Sequence, residues 1–135
     1  MLLSSSRDGR ISWAARRDYA DATAAVLAGD GHAGATYELA GDTADTLRDL
    51  AVEVSRQSGQ PVRYESVSED EHTAALWAGG LPEPWVQMTV QPEAHGIADG
   101  LLFDESHTLS RLIGRPTTPL RSAVAEALRG CTAAT

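Results

Sequence analysis

Lysine is absent from this chain of 135 residues: all eleven basic residues are arginine. The absence excludes a Schiff-base lysine, a phosphate-loop lysine, and a lysine that lowers the pKa of a catalytic tyrosine. Cysteine occurs once, at Cys131. No internal disulfide and no cysteine-based zinc site can form, and a lone thiol in the tail "RGCTAAT" is expected to be inert. Long apolar runs are missing too. Nothing approaches the length of a membrane span, and the Leu2-Leu3 pair in "MLLSSSRDGR" is too short for a signal peptide, so a cytoplasmic protein with no membrane role is expected. Basic clusters are limited to Arg16-Arg17 in a chain of net charge -8. Phosphate neutralisation needs a basic face, so nucleic acid is disfavoured as a partner.

What remains is an ordinary globular composition, 42% hydrophobic, at a length that suits one domain. The reading is a flexible segment over 1–9, a single α/β domain over 10–129 and a flexible tail over 130–135. "RISWAA" (10–15) reads as a strand. The next segment reads as a helix with Tyr19, Thr23, Val26 and Leu27 on one face and Gly29 as its C-cap. "ATYELAG" (35–41) reads as a second strand. Thr46 to Asp49 resembles a capping box, opening a helix with Leu47, Leu50, Ala51 and Val54 as its stripe and Gly59 at its end. "PVRYESV" (61–67) reads as a third strand. Ser68 to Glu71 is a full S-x-x-E capping box for a helix to about Ala78.

After Gly79-Gly80 and a proline-bearing linker, Trp85 to Gly100 reads as a helix with Trp85, Met88 and Thr89 on one side and a break at Pro92. "LLFD" reads as extended, and Ser106 as the cap of a short helix ending before Gly114. Thr118-Pro119 reads as the start of a last helix that aligns Leu120, Val124 and Leu128. Strand, helix, strand, helix, strand and then helices predict an α/β fold: a small, mainly parallel sheet with flanking helices.

One string invites a nucleotide reading. "GDGHAG" (29–34) spells G-x-G-x-x-G. The dinucleotide fingerprint needs a strand before the loop and a helix after it, so that helix N-terminal amides face the pyrophosphate. Here the loop follows a helix, whose C-terminal partial charge repels phosphate, and Asp30 adds a further negative charge. The glycines are better explained as a cap and a turn.

The segment "GRISWAARRDYADATAAVLAGDGHAGATYELAGDTADTLRDLA", then "SRQSGQPVRYESVSEDEH", "GGLPE" and "LIGRPTTPL", closely resembles the NmrA-like branch of the short-chain dehydrogenase superfamily, from about Arg7 to Leu128. "LIGRPTTPL" is the most specific piece. The resemblance covers the C-terminal half of such proteins. The half it does not cover holds the phosphate loop and most of the nicotinamide-binding sheet. The resemblance therefore implies the substrate-side portion of an NAD(P)H-dependent oxidoreductase of quinones or other small molecules. NAD(P)H is the cofactor of the full-length family, and this portion is not expected to bind the dinucleotide alone. The superfamily's Tyr-x-x-x-Lys pair has no counterpart, since Tyr19 is followed four residues later by Thr23. The branch often lacks that pair.

Candidate site residues fall into two sets. Trp13, Arg16, Trp85, Met88 and Phe103 are candidates for binding a small planar or aromatic molecule. By resemblance, Arg16 ends the segment beside the substrate pocket, where a guanidinium can hold a carboxylate or quinone oxygen. Each has a plain alternative: a surface charge for Arg16, packing for the others. His95, Asp104 and His107 are candidates for acid-base catalysis, with Asp104 alternatively a helix cap. Their spacing matches no metal motif, and no metal is expected. His32 and His72 read as surface residues.

Three functions follow. The chain is the substrate-side portion of an oxidoreductase, or a free-standing cofactor-independent isomerase or cyclase using His and Asp on an aromatic or polyketide-like substrate, or a non-catalytic ligand-binding or regulatory module. A strand edge left without its larger sheet would favour a homo-oligomer.

Overall fold

A computed structural model of the chain describes residues 1–132, apart from the side chains of residues 131 and 132. Strand is scarce. β1 (Leu2–Ser4) and β2 (Tyr64–Ser66) pair in parallel, with Leu2 opposite Tyr64 and Ser4 opposite Ser66. The remaining regular structure is helical: α1 (Arg16–Ala28), α2 (Leu47–Ser58), α3 (Glu69–Ala78), α4 (Glu83–Gln91), a π-helical turn (Pro92–Ile97), α5 (Thr108–Ile113) and α6 (Leu120–Thr132). This is an α/β arrangement of a small parallel sheet with flanking helices.

By contact the described residues form two units, each drawn from two stretches of chain. The first comprises Met1–Ile11 and Thr46–Phe103, and so holds both strands, α2, α3, α4 and the π-turn. Its buried apolar residues are Ile11, Leu47, Ala51, Val86, Val90, Ala94 and Ile97. The second comprises Ser12–Asp45 and Asp104–Thr135, with α1, α5 and α6, and a smaller apolar core of Ala22, Leu109 and Val124. The reading of 10–129 as one domain drew no boundary at these points.

Local signals account for the helices that were placed well. At α2, the Thr46 hydroxyl accepts the Asp49 amide and the Asp49 carboxylate accepts the Thr46 amide, a reciprocal box, and Gly59 closes the helix at φ +69°. Ser68 and Glu71 do the same at α3. Pro92 ends α4 as expected, and the chain passes into the π-turn rather than into coil.

The strands fare differently. Residues 1–9 were read as flexible, yet Leu2–Ser4 is β1, and Ser4, Ser5 and Ser6 are all buried. Serine runs carry no strand signal; side-chain partners secure this one. "RISWAA" keeps only a bridge residue, Ile11, and "ATYELAG" is not a strand. The latter region is tied by single bonds, such as the Gly41 amide to the Ser12 carbonyl at 3.0 Å. "PVRYESV" contracts to three strand residues, and Leu101-Leu102 form a turn rather than an extended segment.

Two helix faces are also rotated from expectation. α1 buries Asp18 and Ala22, while Tyr19 and Leu27 are exposed. α4 buries Val86 and Val90, leaving Trp85 and Met88 outside. In both, the buried spacing is i, i+4, and the large residues that suggested the other face are the exposed ones. α6 continues through 130–132, where a flexible tail was expected; the remainder of that tail, 133–135, lies outside the described residues, as does the side chain of Cys131.

Gly41 has a sharp steric requirement. A Cβ there would lie 1.7 Å from the Trp13 carbonyl oxygen. We expect Gly41→Ala to destabilise the protein by about 1–3 kcal/mol, the usual cost of overpacking. Urea denaturation of the two proteins side by side checks this, and an unchanged midpoint would contradict it.

Candidate functional site

In the second unit, the candidate site is a carboxylate-centred network. Asp18 has 0% of its surface exposed. Its carboxylate accepts the Thr118 amide at 2.8 Å and the Thr118 hydroxyl at 3.1 Å, and pairs with the Arg115 guanidinium at 2.8 Å. Burial pushes this carboxyl up; the Thr118 amide and hydroxyl and Arg115 together outweigh that and hold it below its ordinary value. Arg115 reaches Asp21 with its other nitrogen. Thr118 was read as a helix cap, but its hydroxyl is spent on Asp18, and Pro119 offers its carbonyl to the Ser122 and Ala123 amides instead.

Beside it, Asp42 accepts the Thr117 amide at 2.8 Å and pairs with His107 Nδ1 at 3.0 Å. Its own amide donates to the Thr117 hydroxyl at 2.8 Å. Burial again acts upward, and hydrogen bonds from Ser110, Thr117 and His107 overcome it, lowering the carboxyl to about 2. Asp42, His107, Ser110, Arg111, Arg115 and Pro116 line an open cleft of about 480 Å³.

In the first unit, three consecutive serines meet a histidine and a glutamate. The Ser5 amide and hydroxyl lie 3.3 and 3.1 Å from His72 Nδ1. An amide can only donate, so in the contact with the Ser5 amide Nδ1 is the accepting atom. Glu93 Oε2 lies 3.7 Å from the same Nδ1 and accepts the Ser4 hydroxyl. Ser6 completes the set through Ser4 at 2.8 Å and Tyr64 at 3.3 Å. His72, read as a surface residue, is 2% exposed. A cleft of about 370 Å³ opens above, lined by Ser5, Arg7, Val67, Ser68, Glu69 and Asp70.

The predicted residues are placed as follows. His95 belongs to the first unit and pairs with Glu69 at 3.4 Å; Asp104 and His107 belong to the second. Asp104 does not pair with His107. Its carboxylate accepts the Ser106 amide and hydroxyl at 2.6 and 2.9 Å, and Ser106 in turn accepts the Thr108 amide at 3.3 Å. Asp104 and Ser106 thus organise the start of α5, where His107 takes the N-cap position at φ +54°. Trp13 is half-buried, and its Nε1 is the one buried side-chain polar atom among the described residues without a partner. Arg16 is exposed at the first position of α1. Trp85 and Met88 are 60% and 67% exposed, and Phe103 carries the Arg10 guanidinium 5.1 Å from its ring centroid. His32 is half-buried against the Tyr37 hydroxyl at 2.7 Å.

"GDGHAG" follows α1, whose C-cap Gly29 donates its amide to Ala25, and Gly31 and Gly34 take positive φ. The loop is a turn behind a helix C-terminus. Asp18, Asp42 and Arg115 were missed by sequence reasoning. Their only signals were an Asp in the first turn of α1, an Asp after a glycine and an Arg after a glycine stop, which is also how surface charges look.

No family model matches the chain. Its sequence is 46% identical to Quinone oxidoreductase 2 of Escherichia coli over 124 residues, 92% of this chain and 43% of that protein. The chain is homologous to part of a quinone oxidoreductase. The kinship with the NmrA-like oxidoreductases expected from "LIGRPTTPL" and its companion strings stands on this match. The crystal structure of NADPH-dependent quinone oxidoreductase QOR2 from E. coli complexed with NADPH superposes with TM-score 0.89 at 45% identity, covering 94% of this chain and 44% of that one. The triphenylmethane reductase of Citrobacter sp. complexed with NADP(H) follows at TM-score 0.86 and 32% identity, covering 93% and 44%. The chain spans under half the length of the relatives it matches. Among the described residues no helix is long and apolar enough to cross a membrane, and no His/Cys/Asp/Glu group gathers as a metal site would.

Asp42 yields a prediction. A carboxyl held below its unfolded value contributes stability that is present above about pH 4 and lost as the pH falls through about 2. Its side chain is 21% exposed. The contribution is about 2 kcal/mol at neutral pH. In Asp42→Asn this segment of the acid dependence should flatten, with stability at pH 7 reduced by a similar amount. Denaturation curves across pH 2–7 read the difference; parallel curves for both proteins would refute the assignment.

Proposed function

We propose that this chain supplies the substrate-side portion of an NAD(P)H-dependent oxidoreductase of quinones or similar small molecules, working in the cytoplasm. The observation that carries the reading is identity of 46% to Quinone oxidoreductase 2 across nearly the whole chain and only 43% of that relative. The NADPH-bound structure of the E. coli enzyme supports NADPH as the cofactor of the complete assembly. The chemistry that cofactor supplies is hydride donation. The one string of this chain with the dinucleotide spelling, "GDGHAG", lies behind a helix C-terminus, where an anion is repelled, which supports assigning the phosphate loop to the portion this chain does not match. The chain's part is therefore to receive and orient the substrate. Arg16, exposed at the head of α1, is the group proposed to hold a substrate oxygen.

The test is a chimera in which this chain replaces the matching portion of E. coli Quinone oxidoreductase 2. We expect NADPH-dependent quinone reduction. A chimera that folds and binds NADPH but leaves quinone untouched would defeat the proposal. In the active chimera, Arg16→Ala should raise KM for quinone about tenfold with kcat little changed, the pattern of a lost ground-state contact. A fall in kcat at constant KM would instead assign Arg16 to the chemical step, and no change in either would remove it from the site.

A further inference from the structure

The pair of Asp42 and His107 holds a ring nitrogen that the fold does not use. Asp42 is ionised at neutral pH, its carboxyl lying at about 2. A carboxylate can only accept, so the 3.0 Å contact requires a proton on His107 Nδ1. In the neutral ring the lone pair then lies on Nε2. Among the described residues no hydrogen bond or ion pair engages that atom. The start of α5 needs no help from this ring, because Asp104 and Ser106 organise it. His107 nevertheless holds φ +54°, a conformation that side chains seldom adopt and that clusters at functional sites.

The pair borders the cleft of about 480 Å³, a size that takes a small molecule. All six lining residues belong to the second unit. Arg115 in the lining is engaged by the carboxylates of Asp18 and Asp21. Arg111 differs: its guanidinium donates to the Ser106 carbonyl and the Thr108 hydroxyl, both neutral oxygens. Those bonds fix its position and leave its charge uncompensated.

A carboxylate that orients an imidazole, a lone pair on the far ring nitrogen and a fixed cation are what is needed to take a proton from carbon while charge gathers on oxygen. We infer that this cleft is a proton-transfer site for small carbonyl compounds, with His107 as the base, Asp42 as its positioning residue and Arg111 beside the enolate oxygen. Nε2 takes the proton from the carbon next to the carbonyl. The C–H electron pair becomes a C=C bond, and the carbonyl π pair moves onto oxygen. The imidazolium then returns the proton to carbon or to oxygen, so nothing is oxidised or reduced and no cofactor enters. The inference stands apart from the oxidoreductase reading, which requires a hydride donor.

The probe is a nitrobenzisoxazole, in which a base removes the ring C–H proton, the N–O bond breaks and a coloured phenolate is released. The whole chain at neutral pH is expected to speed this elimination at least tenfold over free imidazole at equal concentration. His107→Gln, at a half-exposed position, should lose at least tenfold of the rate with its circular dichroism unchanged. Asp42→Asn should lower kcat at least tenfold with KM little changed, a split that a merely structural role would not produce. Nitrogen NMR of the histidine-labelled parent chain needs no variant and should find the His107 ring proton on Nδ1. A rate no higher than that of imidazole, a rate untouched by His107→Gln, or a ring proton on Nε2 overturns the inference. The same assay on the folded chimera with E. coli Quinone oxidoreductase 2 covers occlusion in a longer protein: a rate lost there overturns it as well.

Discussion

The buried carboxylate of Asp18 constrains the second unit more than any apolar contact does. Among its described residues that unit buries only Ala22, Leu109 and Val124 as apolar side chains, so shape cannot come from oil alone. A buried charge must be met by donors or it expels itself to water. Asp18 is met by an amide, a hydroxyl and a guanidinium, and all of them come from the stretch Arg115 to Thr118, a hundred residues away in sequence. This fixes the rotation of α1, because a helix that buries Asp18 and Ala22 must expose Tyr19 and Leu27. It also fixes the loop before α6, which in turn presents Thr117 to Asp42. The order of dependence runs from Asp18 to Thr118, from Thr117 to Asp42, and from Asp42 to His107.

The first unit uses a similar device with weaker charges. Ser4, Ser5 and Ser6 would be poor strand residues on propensity. Their hydroxyls find Glu93, His72 and Tyr64, so a polar segment is buried at small cost and β1 can align with β2. Both units therefore rest on satisfied buried polar groups, and in both the satisfying partner is distant in sequence.

That distance explains what could be read from the chain beforehand. Information carried within four residues was legible: the boxes at Thr46 and Ser68, the caps at Gly29 and Gly59, the break at Pro92, the stripe of α2. The overall class was legible because it sums such local signals. What failed depended on partners far along the chain. Ser4–Ser6 read as a floppy terminus because nothing local pairs a serine with His72. α1 and α4 were turned the wrong way because a tryptophan or tyrosine counts heavily in any apolar pattern, while the structure buries Asp18 and two valines. Of the candidate residues, Arg16 was named by resemblance and Trp13 as its neighbour, whereas the Asp18–Arg115 and Asp42–His107 pairs carried no local signature.

The same accounting separates groups that hold the structure from groups left open for something else. All four histidines have partners: His32 with Tyr37, His72 with Ser5, His95 with Glu69, His107 with Asp42. Asp104 is occupied with the start of α5. Each histidine contact engages one ring nitrogen, and His107, with Asp42, also borders the open cleft of the second unit. The groups not absorbed in this way are of another kind: an exposed guanidinium at Arg16, an indole donor at Trp13 without an acceptor, and the exposed side chains of Trp85 and Met88 on α4. Groups of that kind are suited to contact with a ligand. That division agrees with the reading proposed above, in which this chain serves the substrate side of an oxidoreductase.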